Sequence, residues 1–446
     1  MRTTELLMPA GDFEKMRFAI AFGADAVYLG IPQFSLRARE NGFRTRESVV
    51  EAVAYAQARG KKVYVTANIF AHNHKVDSFV KYVGEFLSQC RPDAWIISDP
   101  GLIHLMKEHF PNEIIHLSVQ ANVVNFSSAQ FWQKLGVKRI ILSRELSIKE
   151  IQVIREHCPD LELEAFVHGA ICIAYSGRCL ISNYMSYRDA NQGTCANSCR
   201  WEYKIFEKSD VQPPDLKAKA LIDHPVLTNQ GDAYARLEGE YYLEESERPG
   251  EYMPIDEDEH GTYLMNARDL CGIEYLKELS DAGVVSFKVE GRSKSVYYAA
   301  MIARVYRRAI DAMQEGKAFD SSLFEEIYAT SNRGLIAGFL KGNPGHTAQA
   351  YEDGRSLYSR YRFSGVVRGY DPVRKMINVE PRNPIQPGMT LEMCLPSETK
   401  PFSVEKIFDE KNQEIPGIHG GFKNGWISYP CNPGEFALLR ERLKEE

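Results

Sequence analysis

No apolar run in this 446-residue chain approaches the roughly 20 residues that a membrane span requires. Nor does its beginning, MRTTELLMPAGDFEKM, carry the apolar centre of a secretory leader. Neither a membrane protein nor an exported one is expected, and the expected compartment is a reducing cytoplasm. An excess of positive charge is missing too: 54 Lys and Arg stand against 60 Asp and Glu, a net charge of −6. Any contact with nucleic acid must therefore come from a local patch. Internal repeats and low-complexity tracts are absent. The first apolar run leads into PAGD, a tight turn, and not into a Gly-rich dinucleotide fingerprint. There is no GxSxG elbow and no HExxH zinc helix, which removes the most recognisable hydrolase machinery.

What is present is an alternation. With 44% hydrophobic and 26% charged residues the composition is that of a globular protein, and the length calls for two or three domains. Short apolar runs read as strands at Glu5–Met8, Ala26–Gly30, Lys62–Ile69, Ala94–Asp99, Ile115–Asn122, Arg139–Arg144 and Glu162–His168, with an eighth at Val284–Glu290. Helical patterns separate them, with Asp12 and Ser147 placed as N-caps and Gly23, Gly60 and Gly136 where helices should stop. A helix over Arg268–Ala282 is expected before the eighth strand, and one from Lys294 to about Gln314 after it. Eight such units predict an α/β fold, a (β/α)8 TIM-like barrel over 1–330. A long insertion after the seventh strand, at about 170–263, interrupts it and carries the acidic run DEDEH, expected as a solvated loop. A linker follows over 331–346. From 347 to 446 short β-like runs alternate with Pro, Gly and Asn turns, which predicts a small C-terminal β-barrel domain.

Four of the nine cysteines, Cys172, Cys179, Cys195 and Cys199, fall within this insertion. Six residues separate the first two and three separate the last two. The odd total and the absence of a leader argue against disulfides. Three uses remain open: a soft metal centre, buried structural thiols, or a catalytic thiol. The metal centre is favoured, and within it a [4Fe-4S] cluster, because structural zinc usually shows two short clips and here only one pair is that tight. In a barrel of this kind the insertion leaves from the C-terminal end of a strand, where active sites are built.

Polar residues that close the apolar runs are the candidates for chemistry. The catalytic candidates are Asn68, Gln120, His168 and Glu290, and Asp99, Asn122 and Glu145 occupy similar positions. Arg37, Arg39, Arg144, Lys288 and Arg292 are the candidate substrate cations, arginine being suited to carboxylates through its planar fork. Lys288 and Glu290 are two apart and share a strand face, so mutual pairing inside the barrel is the alternative. For His168 the alternative is a satisfied core histidine.

Several long, ordered stretches resemble one known family. They are Glu164-x-Phe166-x-x-Gly169-Ala170-Ile171-Cys172 followed by Gly177-x-Cys179-x-Ile181-Ser182, then NQGTCANSCRWEY, LMNARDLC and FKVEGRSKSVYYAA, together with the opening ELLMPAGDFEKMRFAIAFGADAVYLG. The chain resembles the collagenase-like peptidase family over almost its whole length. Within that family the layout is most similar to prephenate-dependent tRNA uridine hydroxylases. The resemblance implies oxygen-independent 5-hydroxylation of the wobble uridine in a tRNA anticodon loop, with prephenate as co-substrate. It also implies a [4Fe-4S] cluster on Cys172, Cys179, Cys195 and Cys199, with Cys271 as the substitute for the fourth ligand. The family gives no catalytic residues, so the strand-end set above stands on the residues alone. A dicarboxylate such as prephenate suits the candidate cations, and Tyr358, Arg360, Tyr361 and Arg362 offer a grip on RNA. The alternatives are a peptidase and a non-catalytic iron–sulfur or adaptor protein.

Overall fold

The computed structural model describes residues 4–36, 41–171, 268–330, 332, 334–342, 360–421 and 425–443, and the backbone of 241–244, 252–258 and 261–263. The strands β1 (Glu5–Pro9), β2 (Ala26–Gly30), β3 (Lys62–Ala67), β4 (Ala94–Ile97), β5 (Ile115–Leu117), β6 (Arg139–Ile141) and β7 (Glu162–Gly169) pair in sequence order, all parallel. Helices α1 (Phe13–Ala21), α2 (Arg46–Gln57), α3 (Asn73–Leu87), α4 (Pro100–His109), α5 (Phe126–Lys134) and α6 (Ile148–His157) connect them. Local signals place these helices. Asp12 accepts the Lys15 N–H at 2.8 Å to start α1, and Ser147 with Glu150 forms a capping box on α6. Gly23, Gly60 and Gly136 take positive φ just past α1, α2 and α5, as expected.

After β7, the strands β8 (Tyr241–Glu244), β9 (Tyr252–Asp258) and β10 (Gly261–Tyr263) pair antiparallel. The acidic run expected as a loop is thus partly strand. β11 (Asp269–Cys271) lies antiparallel against the end of β7. The single helix expected over Arg268–Ala282 is therefore a strand, a short 3-10 turn and then α7 (Leu276–Asp281). An eight-residue β7 outlasts its parallel neighbours, and its free edge recruits β11. β12 (Val284–Val289) then pairs parallel with both β7 and β1 and closes the expected eight-stranded barrel.

α8 (Val296–Gln314) follows, then α9 (Leu323–Tyr328) and β13 (Leu335–Ile336), which pairs with β11. Thirteen of the nineteen residues of α8 are buried, because it has the barrel on one side and the C-terminal domain on the other. That domain comprises β14 (Tyr361–Asp371), β15 (Met376–Pro381), β16 (Thr390–Cys394), β17 (Thr399–Ser403), β18 (Ile407–Phe408), β19 (Glu414–Ile415), β20 (Gly425–Ser428) and β21 (Leu438–Arg442). They form one antiparallel sheet in the order β17, β16, β21, β14, β15, β20, β18, β19, folded over a core that includes Val367, Val379, Met393, Ile407, Ile427 and Leu439. Arg304 of α8 locks it to the barrel, donating to the carbonyls of Leu395 (2.6 Å) and Glu398 (3.0 Å) and to Thr399 Oγ1 (2.8 Å) while pairing with Glu326. Tyr297 stacks on Phe363 beside it, with ring centres 5.1 Å apart. No helix among the described residues is long and apolar enough to cross a membrane.

Candidate active site at the barrel mouth

The barrel interior is charged at its base. Glu5 accepts from Tyr64 (2.6 Å), Arg139 (2.8 Å) and Ser286 (2.8 Å). Arg139 also pairs with Glu162 and Glu164, and Glu164 accepts from Lys288 Nζ at 2.8 Å. Burial alone would raise the Glu5 carboxyl, but Arg139 and the three donors outweigh it and hold the pKa below the usual value. Lys288 is 3% exposed, and burial draws its pKa down while Glu164 partly restores it. Lys288 was expected among the substrate cations. It is instead committed to Glu164 beneath the mouth by a direct ion pair, and Glu290 reaches it only as a longer-range attraction.

Above this layer the strand ends open. β7 stops at Gly169, with φ +106 and a backbone so close to the Glu290 carbonyl that a Cβ would meet it at 2.5 Å. Arg144, from the β6–α6 loop, donates to the Ala170 carbonyl at 2.6 Å. Its guanidinium covers the Phe166 ring at 3.9 Å and reaches Glu290 at 3.7 Å, and Tyr28 OH lies 3.5 Å from the same carboxylate. Arg144 and Glu290 thus meet where the chain departs toward Cys172. The four insertion cysteines, with Arg37, Arg39 and Tyr358, lie outside the described residues. Among the described residues no group of three or more His, Cys, Asp or Glu could hold a metal ion.

A second group gathers at the ends of β2 to β5. Arg292 donates to Ser35 Oγ (2.9 Å), Thr66 Oγ1 (3.4 Å) and the Leu36 carbonyl (2.7 Å). Asn68 accepts the Leu36 N–H at 3.1 Å. Both grip the stub that leads into the Arg37–Arg39 segment. Ser98 Oγ is 3.1 Å from the Asn68 carbonyl and 3.2 Å from Gln120 Oε1, so Asn68, Ser98 and Gln120 form a row. Gln120 is not on a strand. β5 ends at Leu117, and residues 119–121 make a 3-10 turn that closes on Asn122 at φ 58, a conformation Asn tolerates. Asp99 caps α4 through the N–H groups of Gly101 (2.7 Å) and Leu102 (3.1 Å), and Glu145 bonds Ser143.

His168 is not at the mouth. β7 and β12 run in register from Ser286 opposite Glu164 to Lys288 opposite Phe166, but the next pair is Val289 with His168. The extra residue, Val167, is a bulge that turns His168 away from the face of Glu164 and Phe166. Its ring sits 5.4 Å from Tyr306 and 5.9 Å from Tyr298, both on α8, and its Nδ1 is 3.3 Å from Tyr306 OH. Burial, then Lys294, push its pKa down to about 3. Cys271 registers opposite His168 on β11, and burial pushes its thiol up to about 11. Those shifts are the reverse of an activated Cys–His nucleophile pair, which needs a thiolate beside an imidazolium.

A closed parallel barrel whose mouth loops carry the polar chemistry, with a long excursion from one βα connection, is the build of a barrel enzyme. The chain belongs to peptidase family U32: the family model matches residues 11–350, and the model of the family's C-terminal domain matches residues 359–440. It is 45% identical over 445 residues to tRNA hydroxylation protein P of Escherichia coli (strain K12), covering 99% of this chain and 97% of that protein. Against tRNA hydroxylation protein P of Haemophilus influenzae the identity is 44% over 445 residues, 98% of this chain and 96% of the relative. The 23S rRNA 5-hydroxycytidine C2501 synthase of Escherichia coli (strain K12) is 28% identical over 421 residues, 92% of this chain and 56% of that protein.

Proposed function

We propose that this chain is a tRNA-hydroxylating enzyme that places a hydroxyl on C5 of the wobble uridine, without molecular oxygen, in the cytoplasm. The observation that carries the reading is end-to-end identity, 45% over 99% of this chain, with a protein named for tRNA hydroxylation. Prephenate is the proposed co-substrate. Its two carboxylates suit Arg144 and Arg292 at the mouth, with Arg37 and Arg39 on the segment that Arg292 and Asn68 anchor. Glu290, Asn68 and Gln120 are the polar groups proposed to face it. A target uridine must be splayed from the anticodon loop to reach such a mouth, as bases in single-stranded RNA are when modified.

Cys172, Cys179, Cys195 and Cys199 are the proposed holders of a [4Fe-4S] cluster. The donor set fits that group, four thiols on a segment that leaves the barrel beside Arg144 and Glu290. Such a cluster would supply electron transfer or iron coordination at the mouth. Arg144 has a separate task, holding the Ala170 carbonyl and so the start of that segment. The peptidase reading draws no support from Cys271 and His168, whose burial disarms both. Mass spectrometry of tRNA nucleosides from a strain lacking this gene tests the proposal. Loss of 5-hydroxyuridine derivatives is expected, and an unchanged nucleoside profile overturns it.

A further inference from the structure

One face of the C-terminal sheet meets the barrel and then continues past it. On β14, Val366 lies in the barrel's apolar core and Val367 in the domain's own. Glu380 is opposite Val366 and shares its face, and Arg368 links Glu380 to Glu14 in the first turn of α1. α1 begins at the mouth end of β1, so this part of the domain stands on the mouth side. Farther out on the same face, Asn378 of β15 is opposite Trp426 of β20, and Trp426 is opposite Phe408 of β18. Their chain neighbours Ile377, Ile427 and Ile407 fill the core beneath, so strand alternation leaves Trp426 and Phe408 on the outer face, partly exposed.

The β14–β15 turn lays Arg374 against Trp426, its guanidinium 5.0 Å from the centre of the indole ring. Lys375 is exposed beside it, and Val373 at the tip is 91% exposed. Arg362, Arg368, Arg382 and Arg440 in the same domain are each held by a carboxylate. Arg374 instead bonds the neutral Asn412 side chain. Three acids of the neighbouring turns and strands have other tasks. Asp371 and Asp409 accept N–H groups of their own turns, and Glu414 pairs with Lys406. Meanwhile the residues expected to grip RNA at the other end of β14 are engaged internally: Tyr361 lies under Arg440 at 4.0 Å and Arg362 pairs with Glu441.

An indole under a guanidinium, with a second aromatic residue opposite it on the next strand, makes a surface for stacked bases and a phosphate. We infer that Trp426, Phe408 and Arg374 form an RNA-docking platform, which holds an unpaired or looped stretch of tRNA outside the barrel while the target nucleotide enters the mouth. The inference rests on the tRNA reading above and adds to it the surface that binds.

The test uses the full-length protein and an unmodified tRNA transcript with uridine at the first anticodon position. Kd is read by fluorescence anisotropy over a salt series, and hydroxylation is read in a complemented deletion strain. Trp426→Ala weakens binding about fivefold or more, the size of one lost base stack, and Trp426→Phe retains most of the affinity. Arg374→Gln weakens binding and lowers the salt slope by about one. Should Trp426→Ala fail to fold, Arg374→Gln carries the test, since the salt slope does not respond to packing. Wild-type binding with both variants unchanged overturns the platform and leaves the tRNA reading intact. A wild type that neither binds the transcript nor restores hydroxylation overturns both.

Discussion

Replacing Glu164 by Gln removes the carboxylate that neutralises a buried ammonium. Glu164 is fully buried and Lys288 is 3% exposed, and they meet at 2.8 Å. Arg139 tolerates the change better, because it keeps Glu5 at 2.8 Å and Glu162 at 2.8 Å. Lys288 is left with the faces of Tyr28 at 4.3 Å and Phe166 at 5.5 Å and the longer-range attraction of Glu290. At an effective dielectric of about 20 the lost attraction is about 6 kcal/mol. The ammonium can escape part of that by shedding its proton, and moving its pKa from about 10.4 to below 7 costs about 4–5 kcal/mol. We therefore expect Glu164→Gln to destabilise the barrel by about 3–5 kcal/mol at pH 7. The folded-state pKa of Lys288 lies below its unfolded value, so the unfolded chain binds more protons and the deficit shrinks as pH rises from 7 toward 10. Adding Lys288→Met to Glu164→Gln should recover much of the loss, since no uncompensated charge then remains. Urea denaturation followed by circular dichroism reads all three as midpoint shifts at constant slope. A single-variant loss below about 1 kcal/mol, or a double variant no more stable than Glu164→Gln, would refute the assignment of Lys288 to the barrel's structural network.

Acid should weaken the fold before its carboxylates titrate. Burial, then Arg139, Lys288 and Lys62, hold His116 well below the ordinary histidine range, and His168 sits near 3. Both are neutral when folded and protonate on unfolding, so stability is present above about pH 6.5 and is lost as pH falls, at about 1.4 kcal/mol per unit for each. Urea midpoints between pH 7 and 5 check this, and a flat profile contradicts it. Arg304→Met should loosen the C-terminal domain from α8. It removes donors to two carbonyls and to Thr399 and leaves Glu326 without its closest cation, at about 3–5 kcal/mol. Calorimetry should then resolve two transitions, and a single unshifted one contradicts the lock.

Much of the barrel was legible because each βα unit carries its own signals. Asp12 and Ser147 start helices by local hydrogen bonds that any sequence window contains, and the strands they separate need only be apolar and short. What failed depended on distant pairing. Asp269–Leu270–Cys271 looks like the start of a helix, yet it completes the free edge of β7. The bulge at Val167 reverses the face of His168, and period-2 alternation cannot reveal where a residue is left unpaired. Lys288 reads as a mouth cation in the sequence because its partner, Glu164, lies on another strand. Asp99 did have a readable signal: it precedes Pro100 at the first position of a helix, the usual setting for an N-cap. Ser98, Tyr28 and Ser35, which join the mouth network, were overlooked because hydroxyls next to apolar runs are too common to single out.

The central claim is that the segment leaving the barrel between Arg144 and Glu290 supplies thiolates on which tRNA hydroxylation depends. It is tested most directly by the 5-hydroxyuridine content of tRNA from a deletion strain carrying either the wild-type gene or Cys172→Ser at equal protein level. The account predicts full restoration by the wild type and none by the variant. Equal restoration by both would contradict it.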